Sequence, residues 1–584
     1  MNKETLIEFV KKHRETIALI ALLCICYFLF FCSMGNYPLF DADEARYGTI
    51  SRNMFLSKEY LTMLLNGEFF FDKPPLFFWT EALFCMLFGK ATEITLRIPV
   101  ALSATFGVFM TYFLGKRIAS KRYGMICALI LATGCEYIIL GRTAIIDMLY
   151  AVVIATTTFC GLYTLFCSEN YKKYFWWLSY IFAGFAVLTK GPVSVLIPAL
   201  TILISYAVAK REKALKEIFT PLYFIPGLVF FLVLSLPWHI IMYQQYGDFF
   251  LRTYFKARHA EYFLSTIQDR SRQPFYYFIP VFFAAFLPWI FSSAAQVVMY
   301  FKKSVKNTRS YIEKFNDLQP ISQFMVVNFI FFAVAFVCLS CMCIKRPAYI
   351  LPVMFPAAMM LGKFWFDYTF KDENERAVNI STLVMNFGLI ISAAALLVAP
   401  MYIKSLQVPE FFAIQIFGLV VIFAFIILNG FAIFKDKKLV HFLSIPLFMI
   451  VLSIFFAKAA APFITNLEQR ELMKFAKIAK EHNKNISVWG MPAKYSLVFY
   501  GGKDINYTGT IAPYSYDIPS GDYVIIRNIK DNSFDKDYNY EIIEKGKDYI
   551  LVKNVVCKNI KPDKKTLKNL KRLQFAKKRR HPRV

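Results

Sequence analysis

Charge is scarce in this chain. Asp, Glu, Lys and Arg make up 18% of its 584 residues, and 57% are hydrophobic. A soluble protein of this length would fold as several domains with a more polar surface, so that class is excluded. Acids are scarcer than bases, 40 against 67, for a formal net charge of +27. A basic balance alone permits nucleic-acid binding, but the hydropathy sets the excess in a membrane context, and no nucleic-acid partner is expected. A glycine-rich nucleotide loop is missing, and so is any internal repeat. The first absence argues against a cytoplasmic nucleotide fold. The second argues against transporters, which are usually built from repeats. A disulfide framework is also absent: eleven of the twelve cysteines lie in or near apolar runs, where they read as small buried side chains.

What is present is a recurrence of apolar runs of about twenty residues, each long enough to cross a hydrocarbon core. About thirteen spans are expected, at 15–36, 95–115, 124–140, 145–167, 174–190, 192–209, 220–241, 275–300, 321–343, 348–367, 378–401, 410–434 and 439–460. The fold class is a polytopic α-helical membrane protein, since backbone that meets lipid must be helical. The first run has a positive flank but is long and lacks a small-residue cleavage site, so it reads as an uncleaved span. Basic loops such as "GKRIASKRYG", "AKREKALKE" and "FKDENER" belong on the cytoplasmic side. The opposite loops then hold "FDADEARYG", "GRTAIID", "LTKGP", "ARHAEYF" and "IKRPAYILP". The unusual polar residues thus fall on one face, the outer one.

The first outer loop, 37–94, reads as two helical pieces. "DADEARYGTISRNMFLS" sets Tyr47, Ile50 and Met54 at helical spacing, and "KPPLFFWTEALFCMLFG" opens on prolines, which suit a first helical turn. Residues 1–462 form the transmembrane part. A small α/β domain is expected at 463–556, outside the membrane, with an amphipathic helix in "LEQRELMKFAKIAKEH". Its strands are expected in "NISVWG", "SLVFYGG", "DYVIIRN" and "DYILVKN". The tail 557–584 carries twelve Lys or Arg and one Asp, and reads as a flexible or lipid-touching segment.

Two carboxylate positions stand out. Asp41 and Glu44 have the spacing of a capping box made from acids, which leaves Asp43 and Arg46 unexplained. Asp147 sits about one turn inside a span, where an ionisable group usually faces a cavity or a partner. A salt bridge to Arg142 or Arg46 is the structural reading of that acid. Lys73, Lys190 and Lys345 lie at outer span edges, with Arg142, Arg252, Arg258, His259, Arg270 and Arg272 on the same side. Any one such lysine merely snorkels. As a set they oppose the positive-inside bias and suggest an anionic ligand, most simply a phosphate. A carboxylate and cations beside lipid suit a lipid-phosphate substrate: cations stabilise the leaving phosphate, and the carboxylate serves an acceptor hydroxyl as base.

Over residues 30–365 the motifs "DEARYGTISRNM", "NGEFFFDKPPLFFW", "LTKGP", "QPFYYFIPVFFAAFLPW" and "KRPAYILP" occur in order on one membrane side. In these the chain resembles the polyprenyl-phosphate-sugar glycosyltransferases of the GT-C class. The likeness is nearest to the bacterial 4-amino-4-deoxy-L-arabinose lipid A transferases, with protein mannosyltransferases as more distant relatives. The resemblance implies that Asp43 is the catalytic carboxylate, with Glu44, Arg46 and Tyr47 following it. Asp147 is the implied carboxylate of the fourth span, and Lys73 and Tyr349 the implied contacts to the donor phosphate. One departure is Tyr262 in "RHAEYF", where family members often carry an arginine; Arg258 or Arg272 would then supply the charge, or the donor head group differs.

The expectation is an inverting transfer of sugar from a polyprenyl-phosphate donor to lipid A, or to a protein or glycan hydroxyl, at the outer face of the bacterial inner membrane. Arg46, Arg258, Arg272 and Lys345 join Lys73 and Tyr349 as phosphate-binding candidates. Tyr47, Arg142, Lys190 and His259 are further outer-face candidates. No cofactor is required; a divalent ion recruited by the carboxylates stays open. The rival class is a transporter or flippase for a lipid-linked substrate, which would show charges at the membrane midplane instead of one edge.

Overall fold

The computed structural model describes residues 12–210, 213–255, 273–292, 315–403, 406, 408–491, 493–503, 505–508, 522–528, 534 and 538–557. Arg258, His259, Tyr262, Arg270, Arg272 and the tail beyond 557 are outside the described residues. By internal contacts the chain divides into two compact units. One comprises Met1–Tyr37, Ser57–Met63 and Phe70–Phe463; the other Pro38–Leu56, Leu64–Phe69 and Ile464–Val584. The division falls near the expected boundary at 462, but it assigns much of the first loop to the C-terminal unit.

The first unit is helical. Ten helices among the described residues are long and apolar enough to cross a membrane, from Arg14–Phe31 to Lys438–Leu467. The pair Lys121–Ala132 and Cys135–Gly141, bent by 69°, makes an eleventh. The other two of the thirteen expected spans also correspond to helical segments. Glu169–Lys190 is a 22-residue helix, but Glu169, Lys172 and Lys173 make its first turns too polar for that set. The stretch from 275 is described only to 292 and holds the short helix Phe278–Ala285. The protein is therefore a multi-pass membrane protein. Its cysteines are free thiols wherever their side chains are described.

Helix contacts follow small residues and aromatic rings. Glu93–Ile118 packs on Lys121–Ala132, and Ile146–Tyr163 on Glu169–Lys190, which also meets Pro221–Leu251. At the first crossing a Cβ on Gly115 would come within 2.7 Å of Gly124 Cα; only two glycines permit that approach. Two buried arginines fix the exit of the first span. Arg97 donates to the carbonyls of Met34 and Tyr37, with its guanidinium 4.0 Å from the Tyr37 ring. Arg142 donates to Leu29 O at 2.6 Å and to Cys32 O. These carbonyls lie in or just after a π-helical turn, Tyr27–Phe31, and a buried carbonyl without a donor is costly.

The second unit holds the expected first-loop helix, Asp43–Ser57, with Tyr47, Ile50 and Met54 buried as their spacing predicts. A two-stranded turn follows, β1 Leu64–Leu65 with β2 Glu68–Phe69. The C-terminal part is an α/β domain. Its strands are β3 Ile486–Trp489, β4 Ile505–Thr508, β5 Tyr523–Arg527, β6 Tyr538–Lys545 and β7 Tyr549–Cys557, in the order β4-β3-β5-β7-β6. β3 runs parallel to β4 and β5, and β7 antiparallel to β5 and β6. Alternation along β5 divides the core. Ile525 faces Leu472, Phe475 and Ala476 of the helix Ala461–Glu481, while Val524 and Ile526 pack with Trp489 and Phe534.

One strand expectation fails. "SLVFYGG" forms the helix Tyr495–Gly501, not a strand. Short apolar runs do not distinguish the two. Here Gly502, at φ 76°, closes the helix with its N–H on Val498 O. β4 and β6 arise from "INYT" and "YNYEIIEK", whose polar residues hid them.

Candidate active site

The described site residues Asp147, Lys190, Tyr349 and Lys73 of the first unit sit at helix boundaries. Asp147 is in the first turn of Ile146–Tyr163, where the positive end of the helix dipole favours a carboxylate. Lys190 ends Glu169–Lys190, at the negative end. Gly191, at φ 97°, takes a conformation that glycine adopts without strain, and Pro192 follows, so "LTKGP" turns the chain directly after the lysine. Tyr349 lies in the 3-10 turn Pro347–Ile350, which leads into the helix Leu351–Lys371. Lys73 precedes Pro74 and Pro75 at the start of Leu76–Phe88. Phe71, two residues earlier, packs its ring on Tyr246 and Phe250 at 5.2 and 5.4 Å.

These boundaries bring four groups together. Lys190 Nζ lies 2.5 Å from Asp147 Oδ1, with the two side chains 14% and 11% exposed. The same ammonium faces the rings of Tyr150 at 4.3 Å and Tyr349 at 4.6 Å. Cation–ring attraction of this kind is worth about 0.5–2 kcal/mol, the larger figure when water is excluded. Lys73 and Arg346 are near enough for their charges to repel that of Lys190. Among the described residues three cations thus lie near the Asp147 carboxylate, and Glu136 is close enough for the charge of Asp147 to act on it.

Asp147 pairs with Lys190, so the pairing with Arg142 or Arg46 is not formed. Arg142 is instead bound to the carbonyls described above and to Ser453 Oγ at 3.4 Å. Lys345 is buried and donates to the carbonyls of Gln273, at 3.0 Å, and Met342. Its neighbour Arg346 is exposed. Tyr150 and Arg346 were not singled out in the sequence. Tyr150 was legible there, three residues after Asp147 on the same helix face. Arg346 is the extended residue just before the 3-10 turn, and choosing it over Lys345 needed the tertiary structure.

In the second unit, Asp43 opens the helix Asp43–Ser57. Its Oδ1 lies 2.8 Å from Arg46, and the Asp43 side chain is 32% exposed, the more accessible of the pair. Arg46 also donates to Tyr47 Oη at 3.2 Å. Glu44 is buried and accepts from Phe40 N at 2.8 Å. Half of the capping box is therefore present, with Glu44 reaching back one residue further than expected. Asp41 supplies no cap; its carboxylate accepts from Ser496 N at 2.9 Å and from Ser496 Oγ. Of the acids in "FDADE", Asp43 is thus the one whose half-buried carboxylate bonds within its own helix. Among the described residues no three His, Cys, Asp or Glu side chains gather to hold a metal ion.

The fold, a multi-pass helical part with a small C-terminal α/β domain, is shared with a solved membrane protein. The chain superposes on ArnT from Cupriavidus metallidurans, in a crystal structure bound to undecaprenyl phosphate, with a TM-score of 0.73 at 18% identity, over 91% of this chain and 97% of that one.

In sequence it resembles the aminoarabinose transferases. It is 23% identical over 351 residues to the undecaprenyl phosphate-alpha-4-amino-4-deoxy-L-arabinose arabinosyl transferase 2 of Proteus mirabilis, covering 60% of this chain and 59% of that protein. An uncharacterized protein of Aquifex aeolicus is 28% identical over 370 residues, 63% of this chain and 67% of its own. The arabinosyl transferase of Edwardsiella ictaluri is 26% identical over 383 residues, 65% and 64% of the two chains. These matches span about three-fifths to two-thirds of each relative. The profile of the dolichyl-phosphate-mannose-protein mannosyltransferase family matches residues 72–241, which include Lys73, Asp147 and Lys190.

Proposed function

We propose that this protein is an inverting glycosyltransferase that takes a sugar from a polyprenyl-phosphate donor and passes it to lipid A at the outer face of the bacterial inner membrane. The observation that carries the reading is the Asp147–Lys190 pair facing the Tyr349 ring, with Lys73 and Arg346 near enough for their charges to act on Lys190. Preorganised cations stabilise charge that develops on a leaving phosphate. In this reading the N-terminus is cytoplasmic and the C-terminal domain extracytoplasmic, which the distribution of basic loops supports.

In the reaction an acceptor oxygen bonds to the anomeric carbon from the face opposite the phosphate. The bond from that carbon to the phosphate oxygen breaks, and its electron pair leaves on the polyprenyl phosphate. Lys73 and Arg346 hold that phosphate, with Tyr349 as a further contact. Asp147 fixes Lys190 and so keeps one positive charge stationary in the site. A lipid A phosphate is already ionised, so Asp43 orients it through Arg46 and no proton moves. A hydroxyl acceptor would give its proton to Asp43. No nucleotide sugar takes part.

Membranes carrying the protein, given undecaprenyl-phosphate-linked aminoarabinose and lipid A, are expected to yield lipid A heavier by one amino-pentose. Asp43→Asn and Lys73→Ala are expected to lose transfer while inserting normally. Full transfer by both variants, or sugar delivered to protein instead of lipid A, would overturn the site or the acceptor respectively. Movement of intact donor across sealed vesicles without product would favour a transporter.

A further inference from the structure

The short helix Tyr495–Gly501 of the C-terminal domain is held at both ends by the first-loop segment. At its N-terminal end, Ser496 donates its backbone N–H, at 2.9 Å, and its hydroxyl to the Asp41 carboxylate. At its C-terminal end, Arg52 donates to Val498 O at 3.0 Å and to Phe499 O. The first N–H groups and last C=O groups of any helix have no partner within it. An acid at the first end and a base at the last also match the helix dipole.

Three further contacts lie beside this clamp. Tyr500 Oη accepts from Leu39 N at 2.9 Å. Asn66 pairs reciprocally with the backbone of Ile505, at 2.7 and 2.6 Å. In the amide orientation that satisfies both its atoms, buried Gln469 donates to Leu39 O at 3.0 Å and accepts from Asp41 N at 2.8 Å.

Asp41 lies two residues before Asp43, and Arg52 is on the same helix as Asp43. The contacts therefore bracket the Asp43 carboxylate from both sides. Charge-assisted bonds of this kind are about twice as strong as neutral ones.

We propose that the C-terminal α/β domain is a positioning element for the transfer reaction. Ser496, acting through Asp41, sets the orientation of Asp43. The proposal rests on the reading of Asp43 as the acceptor-side carboxylate. Ser496 touches no reacting atom; it is a positioning residue. Small misplacement of a reacting group costs rate far more than binding, so its loss is expected in kcat and not in KM.

The test compares full-length protein in detergent as wild type, Ser496→Ala, Asp41→Ala and Asp41→Asn, by amide hydrogen exchange and by transfer kinetics. In Ser496→Ala and Asp41→Ala, amides at the start of Asp43–Ser57 are expected to exchange about tenfold faster, with kcat lowered by a similar factor and KM within about twofold. Strands β5 and β7 are expected to keep their protection. Asp41→Asn, which retains an acceptor oxygen for Ser496 N, should fall between Asp41→Ala, which loses both bonds, and wild type.

Unchanged exchange in the helix would overturn the proposal. So would faster exchange with unchanged kcat, or loss of protection in β5 and β7, which would make Ser496 a folding residue of the domain. Asp43→Asn in the same assay separates the two readings: full transfer by that variant removes the role of Asp43, while the exchange result still decides whether Ser496 holds the helix.

Discussion

Asp147 and Lys190 are each nearly removed from solvent, and each is the other's charge partner. Removing one partner of a buried pair leaves an uncompensated charge and costs about 3–5 kcal/mol, whereas replacing both is often neutral. Asp147→Asn is thus expected to lower the thermal unfolding midpoint in detergent, and Asp147→Asn with Lys190→Met to restore most of it. Transfer activity should stay low in both, because the double variant recovers the fold but not the charge arrangement. Arg142 makes the opposite case. Its donors satisfy backbone carbonyls and not a carboxylate, so Arg142→Met is expected to destabilise by about 2–4 kcal/mol through the carbonyls left bare. Thermal unfolding checks this as well; any transfer lost should follow the folded fraction. At this scale the sequence pointed correctly to unusual charges near helix ends. It could not say which of them face one another, because Asp147, Lys190 and Tyr349 are far apart along the chain.

The glycine crossing decides how closely Glu93–Ile118 meets Lys121–Ala132. A Cβ on Gly124 would strike the Tyr112 carbonyl and the Lys116 amide, both backbone atoms that cannot swing aside. Gly124→Ala is expected to cost about 1–3 kcal/mol, read as a lowered midpoint, whereas Gly430→Ala, with open space around it, should leave the midpoint unchanged. In the α/β domain, "SLVFYGG" shows the limit of local reading. Its apolar run suits a strand or a helix equally. The choice falls to helix because Ser496, Leu497, Val498 and Phe499 are buried there, with Asp41 and Arg52 meeting the two ends. By contrast, "DYVIIRN" was legible as β5, since alternate residues serve the two faces of the sheet.

For the molecule as a whole, orientation is the open physical quantity. Lys90 and Lys213 are both exposed residues of the helical unit, and the basic-loop rule sets them on opposite sides of the membrane. In a cysteine-free background, a cysteine at 90 is expected to react with an impermeant maleimide in intact spheroplasts. A cysteine at 213 should react only after permeabilisation. Labelling of 213 alone would reverse the topology and with it the extracytoplasmic reaction, and labelling of both would overturn their placement on opposite sides.

The sequence by itself determined that the chain spans a membrane many times, where most helices run, and that a small α/β domain follows. These properties depend on apolar length and periodicity, which are local and additive along the chain. It also marked Asp43, Asp147, Lys73 and Lys190 as charges in need of a reason. Tertiary structure alone decided the partners: Asp147 with Lys190, Arg142 with carbonyls, Lys345 turned inward beside an exposed Arg346, and Asp41 bound to Ser496. Such pairings are set by helix phase and by which distant ends the packing brings within hydrogen-bond reach, and no pattern along the sequence encodes that distance.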